Sequence, residues 1–320
     1  MPSTIQRSND LPAEAEILAA RPAKNRVDPR VPWAFLAEDE RPAVGHVVKV
    51  ATIFLTNREC PFRCLMCDLW KNTTDEVVPA GAIAEQIDHA LARLPTCQQV
   101  KLYNSGNFFD PLAIAREEYP AIAARTRCFE NVIVENHPRL CGDDCLRFRD
   151  LLGAPLEIAL GLETIHPVLL PALNKRMSLA DFDRATAFLR EHDIAVRAFV
   201  LLGLPLVREE EAIRWTIRSM EHAFAAGVGC CSIIPTRAGN GIMDRLAAEG
   251  RFTPPRLHSL ETVLDMGILL GQGRVFVDLW DAERLAACPR CGPRRIERLR
   301  RMNLSQEVLP SIVCECERAT

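Results

Sequence analysis

Three cysteines lie within one eight-residue segment, CPFRCLMC. Cys60, Cys64 and Cys67 have the spacing C-x3-C-x2-C. Three thiolates on one short loop can ligate three irons of a [4Fe–4S] cubane and leave the fourth iron without a protein ligand. An open coordination position is typical of a catalytic metal site. Zinc is the alternative, but it needs a fourth cysteine or histidine, and the nearest histidines in the sequence, His46 and His89, are distant.

Four further cysteines lie near the end of the chain, with the spacing C-x2-C…C-x-C: Cys288, Cys291, Cys314 and Cys316. In the first pair, which reads CPRCG, proline and glycine favour a tight turn around a metal. Four thiolates with no open position indicate a closed structural site, for which zinc is the first expectation. A second iron–sulfur cluster uses the same ligands and remains open, as does the absence of any metal.

The elements that position these cysteines are predicted from the hydrophobic pattern. The 320 residues are 48% apolar and 25% charged, which is typical of a globular chain with a sizeable core. Short apolar runs predict seven strands, at residues 46–55, 99–103, 131–135, 156–162, 195–202, 229–234 and 275–279. The clearest helical patterns between them are residues 83–94, 179–192, 209–226 and 256–270. Apolar strands alternating with helices predict an α/β fold, a partial (βα)6-type parallel barrel.

Three regions follow from this pattern. Residues 1–45 contain six prolines and are predicted to form an extended or disordered arm, docked on the body by Trp33 and Phe35. Residues 46–280 form the barrel. Residues 281–320 form a small cysteine-rich metal knuckle.

Polar residues follow the predicted strands at their carboxyl ends, where such folds place their chemistry. The cysteine triplet follows the first strand. The later strands are followed, in order, by Asn104, Ser105, Gly106 and Asn107, then Glu135, Glu163, Gly203, and finally Pro235 and Thr236. A glycine lets a ligand approach the backbone closely, and the amide and hydroxyl groups supply donors and acceptors. For the loop after the second strand, the alternative to a ligand contact is a turn capped by Asn and Ser. For Glu163, the alternative is a buried ion pair.

The triplet after the first strand resembles the signature of the radical S-adenosylmethionine (SAM) superfamily. The other strand-end motifs resemble those of its elongator-type, methylthiotransferase-type and coproporphyrinogen-oxidase-like members. The resemblance covers about residues 46–280. It departs in two places: Met66 stands where an aromatic residue is usual, and the second loop lacks the Gly-Gly-Glu segment that binds the SAM amino group.

The resemblance implies a [4Fe–4S] cluster on the three cysteines, and SAM bound through its amino and carboxylate groups to the open iron. Asn104–Asn107 are assigned to the SAM site because of their position after the second predicted strand. Glu135 is assigned to the ribose hydroxyls, and Glu163 is assigned as a further SAM contact. Arg176, or its neighbour Lys175, is assigned to the carboxylate. Gly203, Pro235 and Thr236 are assigned to the adenine.

The function implied is reductive cleavage of SAM to a 5′-deoxyadenosyl radical, which abstracts hydrogen from a substrate. A small-molecule substrate is expected, with a flavodoxin-type or ferredoxin-type reductase as electron donor. The alternative is modification of tRNA or another RNA, since the order NSGNFFDP…VENHP also resembles the radical partner in archaeosine tRNA synthesis, whose cysteine spacing differs. A non-catalytic iron–sulfur carrier or cluster scaffold is the alternative of another class.

Charge and hydropathy limit the partners. The net charge of −3 gives no overall attraction to nucleic acid or to an anionic membrane. Arg290, Arg294, Arg295, Arg298, Arg300 and Arg301 form a basic stretch in the tail, expected to be a solvated helix face or ion-paired, with a phosphate-binding patch as the alternative. The longest apolar run is too short to span a bilayer and no signal segment is evident, so a cytoplasmic protein is expected.

Overall fold

One open sheet of eight strands organises the protein in the computed structural model, which describes residues 11–314. The strands run in sequence order across the sheet: β1 (Ala34–Glu40), β2 (Val48–Phe54), β3 (Gln99–Tyr103), β4 (Asn131–Asn136), β5 (Leu156–Glu163), β6 (Ala195–Leu202), β7 (Cys230–Pro235) and β8 (Arg274–Val277). β2 to β8 are parallel. The predicted partial parallel barrel is therefore confirmed, and all seven predicted strands are present.

The strand that was not predicted is β1, which lies within the segment interpreted as an arm. It pairs antiparallel with β2 in the register Ala34 opposite Phe54. The two docking residues behave as expected: the Trp33 ring lies 5.1 Å from that of Phe54, and Phe35 contacts His89 edge-on. Residues 34–40 are therefore part of the sheet, because pairing with β2 satisfies their backbone groups.

Ten helices are present in the described residues: α1 (Glu14–Ala19), α2 (Ala82–Leu91), α3 (Tyr119–Thr126), α4 (Asp143–Leu152), α5 (Leu169–Ala172), α6 (Leu179–Glu191), α7 (Glu209–Ala225), α8 (Ile242–Ala248), α9 (Leu257–Leu269) and α10 (Gly292–Ser305). Local chemistry sets some of these bounds. The Ser178 hydroxyl accepts the Asp181 N–H at 3.2 Å, and the Asp181 carboxylate accepts the Ser178 N–H at 2.7 Å. This capping box starts α6 where the sequence predicted a helix to start.

The two faces of the sheet differ in chemistry. On β6, for example, Val196, Ala198 and Val200 belong to the apolar core formed with the helices. The alternate residues Arg197 and Phe199 lie on the opposite face, because successive side chains of a strand point to opposite sides. The interior of the partial barrel is therefore polar and aromatic, whereas its outer face carries the main hydrophobic core.

A network of buried charges fills the end of the barrel at the amino ends of the strands. Arg197 donates to Glu157 at 2.6 Å and to Glu40 at 2.6 Å. Lys101 pairs with Glu40 at 2.5 Å, and Arg274 lies 3.4 Å from Glu157. Burial by itself would raise the pKa of Glu40, but the charges of Arg197 and Lys101 outweigh it and hold this pKa well below its usual range. The network closes the floor of the barrel and leaves its other end for a site.

No helix within residues 11–314 is both long enough and apolar enough to cross a lipid bilayer.

Replacing Glu40 tests how much the buried charge network at the amino ends of the strands contributes to stability. Glu40→Gln leaves Arg197 and Lys101 with an uncompensated buried charge, so we expect a loss of about 3–5 kcal/mol in the free energy of unfolding at neutral pH. Because the folded pKa of Glu40 lies below its unfolded value, its contribution is present above about pH 4.3 and is lost as the pH falls through the folded pKa. Chemical denaturation at several pH values measures both effects.

Asp39→Asn is the matched control, because Asp39 is the neighbouring residue on β1 and its ion pair with Lys49 is about half exposed. It should cost less than about 1 kcal/mol. Equal losses for the two variants would contradict a special role for the floor.

Candidate active site at the carboxyl ends of the strands

The three cysteines of the CPFRCLMC segment lie on the loop that follows β2, at the end of the barrel opposite the charged floor. Cys60, Cys64 and Cys67 are partly exposed and form no disulfide. Burial raises the pKa of all three thiols, that of Cys64 to about 12. Since metal binding requires thiolates, a metal at this loop would displace the thiol protons.

A ring stack fixes the first half of the cysteine loop. The Phe62 ring lies 3.9 Å from the His137 ring, with 10° between their planes. His137 Nδ1 accepts the Arg139 N–H at 3.1 Å, so Nε2 carries the hydrogen and donates to the Lys175 carbonyl at 3.0 Å. Burial, followed by the charge of Lys175, lowers the pKa of His137 to about 3. The ring is therefore neutral, and it links the segment after β5 to the cysteine loop.

Two more hydrogen bonds join the cysteine loop to the segment after β5. Asn174 Nδ2 donates to the Arg63 carbonyl at 2.7 Å, and the Leu65 N–H donates to the Leu173 carbonyl at 2.9 Å. They satisfy backbone groups of a loop that has no regular secondary structure. The loop is therefore held by contacts distant in sequence.

Asn240 holds the second half of the loop. Its Nδ2 donates to the carbonyls of Leu65 at 2.8 Å and Cys67 at 3.1 Å. Its Oδ1 accepts the Met243 N–H at 2.8 Å, in the first turn of α8. One side chain thus joins the cysteine loop to the segment after β7.

The loop after β3 lies against the cysteines, as its position in the sequence predicted. Asn107 Nδ2 lies 3.2 Å from Cys60 Sγ and donates to it. A Cβ at Gly106 would lie 3.4 Å from the Cys60 Cβ, which is van der Waals contact, so the two loops approach each other closely here. A Glu135 carboxylate oxygen accepts the N–H groups of Asn104 at 2.6 Å and Gly106 at 3.4 Å. Glu135 therefore supports this loop from the neighbouring strand.

Burial raises the pKa of Glu135 to about 7, although the backbone N–H groups of residues 104–106 act in the opposite direction. Sequence reasoning assigned Glu135 to a ligand's ribose. One of its oxygens already accepts backbone donors, which leaves the other for that contact.

Several buried polar atoms around this end of the barrel have no hydrogen-bond partner among the described residues. They include both amide atoms of Asn104, the Ser105 hydroxyl and the Thr236 hydroxyl. The Thr236 N–H donates to the Leu202 carbonyl at 2.9 Å, which places this residue just beyond β7. Buried polar groups nearly always have partners. All three residues were predicted from sequence as ligand contacts, and their unused groups fit a polar ligand.

A buried ion pair joins Glu163, the last residue of β5, to Lys175. Both side chains are 9% exposed. A Cβ at Gly161 would overlap the Lys175 ammonium and the Glu163 carboxylate, so the pair depends on this glycine. Burial acts to lower the pKa of Lys175, but the charge of Glu163 outweighs it and raises this pKa. The ion pair therefore favours the charged form of Lys175 beside the cysteine loop.

Arg176 does not reach this site. Its side chain is half exposed and pairs with Glu14 of α1. The assignment of Arg176 to the ligand stays a prediction, whereas Lys175, the neighbour that was considered with it, interacts electrostatically with Cys60 and Cys64.

Gly203 directly follows β6, and Pro235 is the last residue of β7. Gly203 has φ of 81°, and a Cβ there would lie 2.8 Å from the Pro255 ring. Gly203 also lines a cavity of about 630 Å3 bordered by Phe252 and Pro255, in which none of the three loop cysteines takes part. Pro235 is buried at the end of β7.

In the tail, Cys288, Cys291 and Cys314 lie together, with their sulfur atoms all within 4.8 Å of one another. Cys316, the fourth predicted ligand, lies outside the described residues. The acidic residues of α9 and α10 pair with three of the six tail arginines: Arg295 with Glu261, Arg298 with Asp265 and Arg300 with Glu297.

Sequence reasoning missed the residues that hold the cysteine loop: Phe62, His137, Asn174 and Asn240. Phe62 lies inside the CPFRCLMC segment, and Asn240 ends the turn after β7 that had already been singled out. No local signal distinguished them from ordinary loop residues.

No protein-family model matches the chain. An uncharacterized protein of Methanocaldococcus jannaschii is 24% identical over 324 residues, covering 94% of this chain and 88% of the relative. Archaeosine synthase subunit beta of Methanosarcina acetivorans is 23% identical over 238 residues, covering 69% of this chain and 67% of the relative.

Among solved structures, Elp3 of Methanocaldococcus infernus, lacking its N-terminus, superposes with a TM-score of 0.50 at 15% identity. The match covers 68% of this chain and 59% of the Elp3 chain, so this chain spans less than two thirds of that protein. The likeness is one of fold.

Two substitutions of Asn240 separate its two roles. Asn240→Asp keeps the oxygen that caps α8 but removes both donors to the cysteine loop, whereas Asn240→Ala removes both functions. We expect hydrogen–deuterium exchange of residues 64–67 to accelerate at least several-fold in both variants, because the loop loses two hydrogen bonds. Exchange at the start of α8 should accelerate in Asn240→Ala alone. Unchanged exchange in the loop of either variant would show that Asn240 does not hold it.

Proposed function

We propose that this chain, which has the fold of the radical SAM enzymes, is itself a radical SAM enzyme. In this proposal Cys60, Cys64 and Cys67 hold a [4Fe–4S] cluster, to whose open iron SAM binds. The observation that carries the proposal is the arrangement of the site. Three thiols on one loop face a buried Lys175–Glu163 ion pair and unused buried polar groups from two other strand ends.

The donor set fits this cofactor pair. Three thiolates leave one iron of a cubane open. The charge interaction of Lys175 with Cys60 and Cys64 places a cation next to them, where the SAM carboxylate would lie when its methionine moiety chelates that iron. The unused groups of Asn104, Ser105 and Thr236 are donors and acceptors of the kind that a nucleoside needs.

When bound and reduced, the cluster supplies the electron that cleaves SAM to methionine and a 5′-deoxyadenosyl radical. The protein's own residues bind and orient. The Lys175 ammonium pairs with the SAM carboxylate. Glu163 keeps this ammonium in place and accepts a hydrogen bond from SAM. Asn107 donates to Cys60 Sγ, which stabilises thiolate ligation. A flavodoxin-type or ferredoxin-type protein is the proposed source of the electron.

The interior of the barrel suits a substrate that is partly apolar. Phe54, Tyr103 and Phe199 lie between the charged floor and the cysteine loop, with the Tyr103 ring 6.1 Å from Phe54 and 6.0 Å from Phe199. These rings are partly exposed towards the interior, and they would exclude water from a radical formed above them. A small molecule that places a C–H bond beside the SAM ribose is the substrate class that we propose first.

RNA is the second candidate substrate, favoured by the similarity to archaeosine synthase subunit beta and by the resemblance of the order NSGNFFDP…VENHP to the radical partner in archaeosine tRNA synthesis. Arg290, Arg294 and Arg301 are exposed on or beside α10 and offer positive charge for phosphates. The pairing of Arg295, Arg298 and Arg300 with carboxylates reduces that patch. For this reason RNA stands second.

Replacing the loop cysteines tests the chemistry. Protein reconstituted anaerobically with iron and sulfide, then supplied with SAM and dithionite, should form 5′-deoxyadenosine. Cys60→Ala, Cys64→Ala and Cys67→Ala should each reduce it to background, because two thiolates hold a cubane poorly. Cys128→Ala, at an exposed cysteine outside both cysteine groups, is the matched control and should remain active.

A reconstituted wild-type protein that binds iron but forms no 5′-deoxyadenosine would favour a cluster carrier instead. The same assay with added bulk tRNA addresses the substrate class. A several-fold rise in 5′-deoxyadenosine that depends on tRNA would move RNA to first place.

Lys175 and Arg176 give a second, paired test. Lys175→Met should raise the Kd for SAM about 10-fold or more, because a charge-assisted hydrogen bond contributes about 1.5–3 kcal/mol. Arg176→Met should change it less than about 2-fold, because Arg176 pairs with Glu14 outside the site. Equilibrium binding of SAM, with iron content measured in parallel, provides the comparison.

Lys175→Met alone leaves the Glu163 carboxylate buried without its partner. The double variant Lys175→Met/Glu163→Gln removes that charge and keeps the test valid if the single variant folds poorly. Wild-type SAM affinity in the double variant would exclude both residues from the binding site.

A further inference from the structure

The tail cysteines have a spacing that suits one ion. The sulfur atoms of Cys288, Cys291 and Cys314 lie within 4.8 Å of one another. Two thiolates bound to one tetrahedral zinc at about 2.3 Å lie about 3.8 Å apart. The thiolates of a cubane bind different irons, so they lie farther apart than two ligands of a single ion. The spacing therefore favours a mononuclear site over a second cluster.

The first two cysteines form a tight turn at the start of α10. The Gly292 N–H donates to the Cys288 carbonyl at 2.9 Å, and Cys291 is the buried N-cap residue. A Cβ at Gly292 would lie 2.8 Å from the Ala286 Cβ, so the turn requires a glycine there. This local geometry brings the two sulfur atoms to one side of the turn.

The chain then returns to the turn after α10 ends. Gln306 has φ of 56° and its N–H donates to the Met302 carbonyl, which terminates the helix. The Arg298 guanidinium, almost fully buried, donates to the carbonyls of Leu309 and Pro310 and to Asp265 of α9. These bonds direct the tail back along α10, and Cys314 reaches the other two cysteines.

α10 covers the open edge of the sheet. The Asn303 side chain accepts the Val277 N–H at 3.0 Å and donates to the Val277 carbonyl at 2.9 Å. The Gln306 side chain does the same for Val275, at 2.8 Å and 2.9 Å. Two side-chain amides thus replace the missing neighbour strand of β8. An uncovered edge would offer these backbone groups to another chain.

We infer that Cys288, Cys291 and Cys314 bind a single zinc-class ion, whose role is to hold α10 on the edge of β8. The ion joins residues that precede α10 to one that follows it. It therefore closes a loop of chain that contains the whole helix and Gln306, which together cover the edge of β8. Cys316 is the sequence-predicted fourth ligand. The three sulfur atoms would occupy three positions of a tetrahedral ion, and none of these cysteines belongs to the loop proposed to hold the SAM cluster.

Metal analysis of the full chain tests the site. In a Cys60→Ala/Cys64→Ala/Cys67→Ala background, which removes the proposed cluster, we expect about one zinc and almost no iron per chain. Adding Cys288→Ala should remove the zinc. Adding Cys128→Ala should leave it, and Cys316→Ser tests the fourth ligand by zinc affinity. About four irons per chain in the triple variant, or no metal at all, would overturn the inference.

Hydrogen–deuterium exchange tests the role separately from the metal. Loss of zinc through Cys288→Ala should accelerate exchange of the Val275 and Val277 amides at least 10-fold, because their partners lie on α10 (Asn303) and at its C-terminal end (Gln306). Strands β3 and β4, far from α10 in the sheet order, serve as the internal reference and should stay protected. Unchanged protection of β8 after zinc loss would refute the edge-holding role even if zinc binds.

Discussion

The ion pair between Lys175 and Glu163 joins the two sides of the site. Both charges are buried, so each is stable only while the other is in place. Gly161 makes room for the pair, and the backbone carbonyl of Lys175 accepts from His137, which stacks on Phe62 of the cysteine loop. The position of the thiols therefore depends on a contact formed by β5 and the segment after it.

The two ends of the barrel use charge in different ways. At the amino ends of the strands, Arg197 pairs with Glu40 and Glu157, and Lys101 pairs with Glu40, so these buried charges are compensated within the protein. At the opposite end, Asn104 and Thr236 keep buried polar atoms without partners among the described residues. A polar molecule bound at this end would supply partners to these atoms, and this is favourable because buried unpaired groups are costly.

Strand positions were predictable because the parallel strands are continuous apolar runs covered by helices. β3 and β6 agree with the predicted bounds at both ends. β1 was missed because the last three of its seven residues are acidic, which leaves only the four-residue apolar run AFLA in a segment rich in proline. It forms because Glu40 meets Arg197 and Lys101 across the barrel, and a contact between residues so distant in sequence leaves no local pattern.

The sequence by itself determined which chemical groups are available and roughly where along the chain they lie: the spacing of Cys60, Cys64 and Cys67, and the polar residues at strand ends. Only the tertiary structure decided which of two adjacent cations, Lys175 or Arg176, faces the cysteines, and which side chains hold their loop. Spacing along one segment is set by local covalent geometry. Distances between atoms of different strands exist only once the sheet register and the turns after each strand are formed.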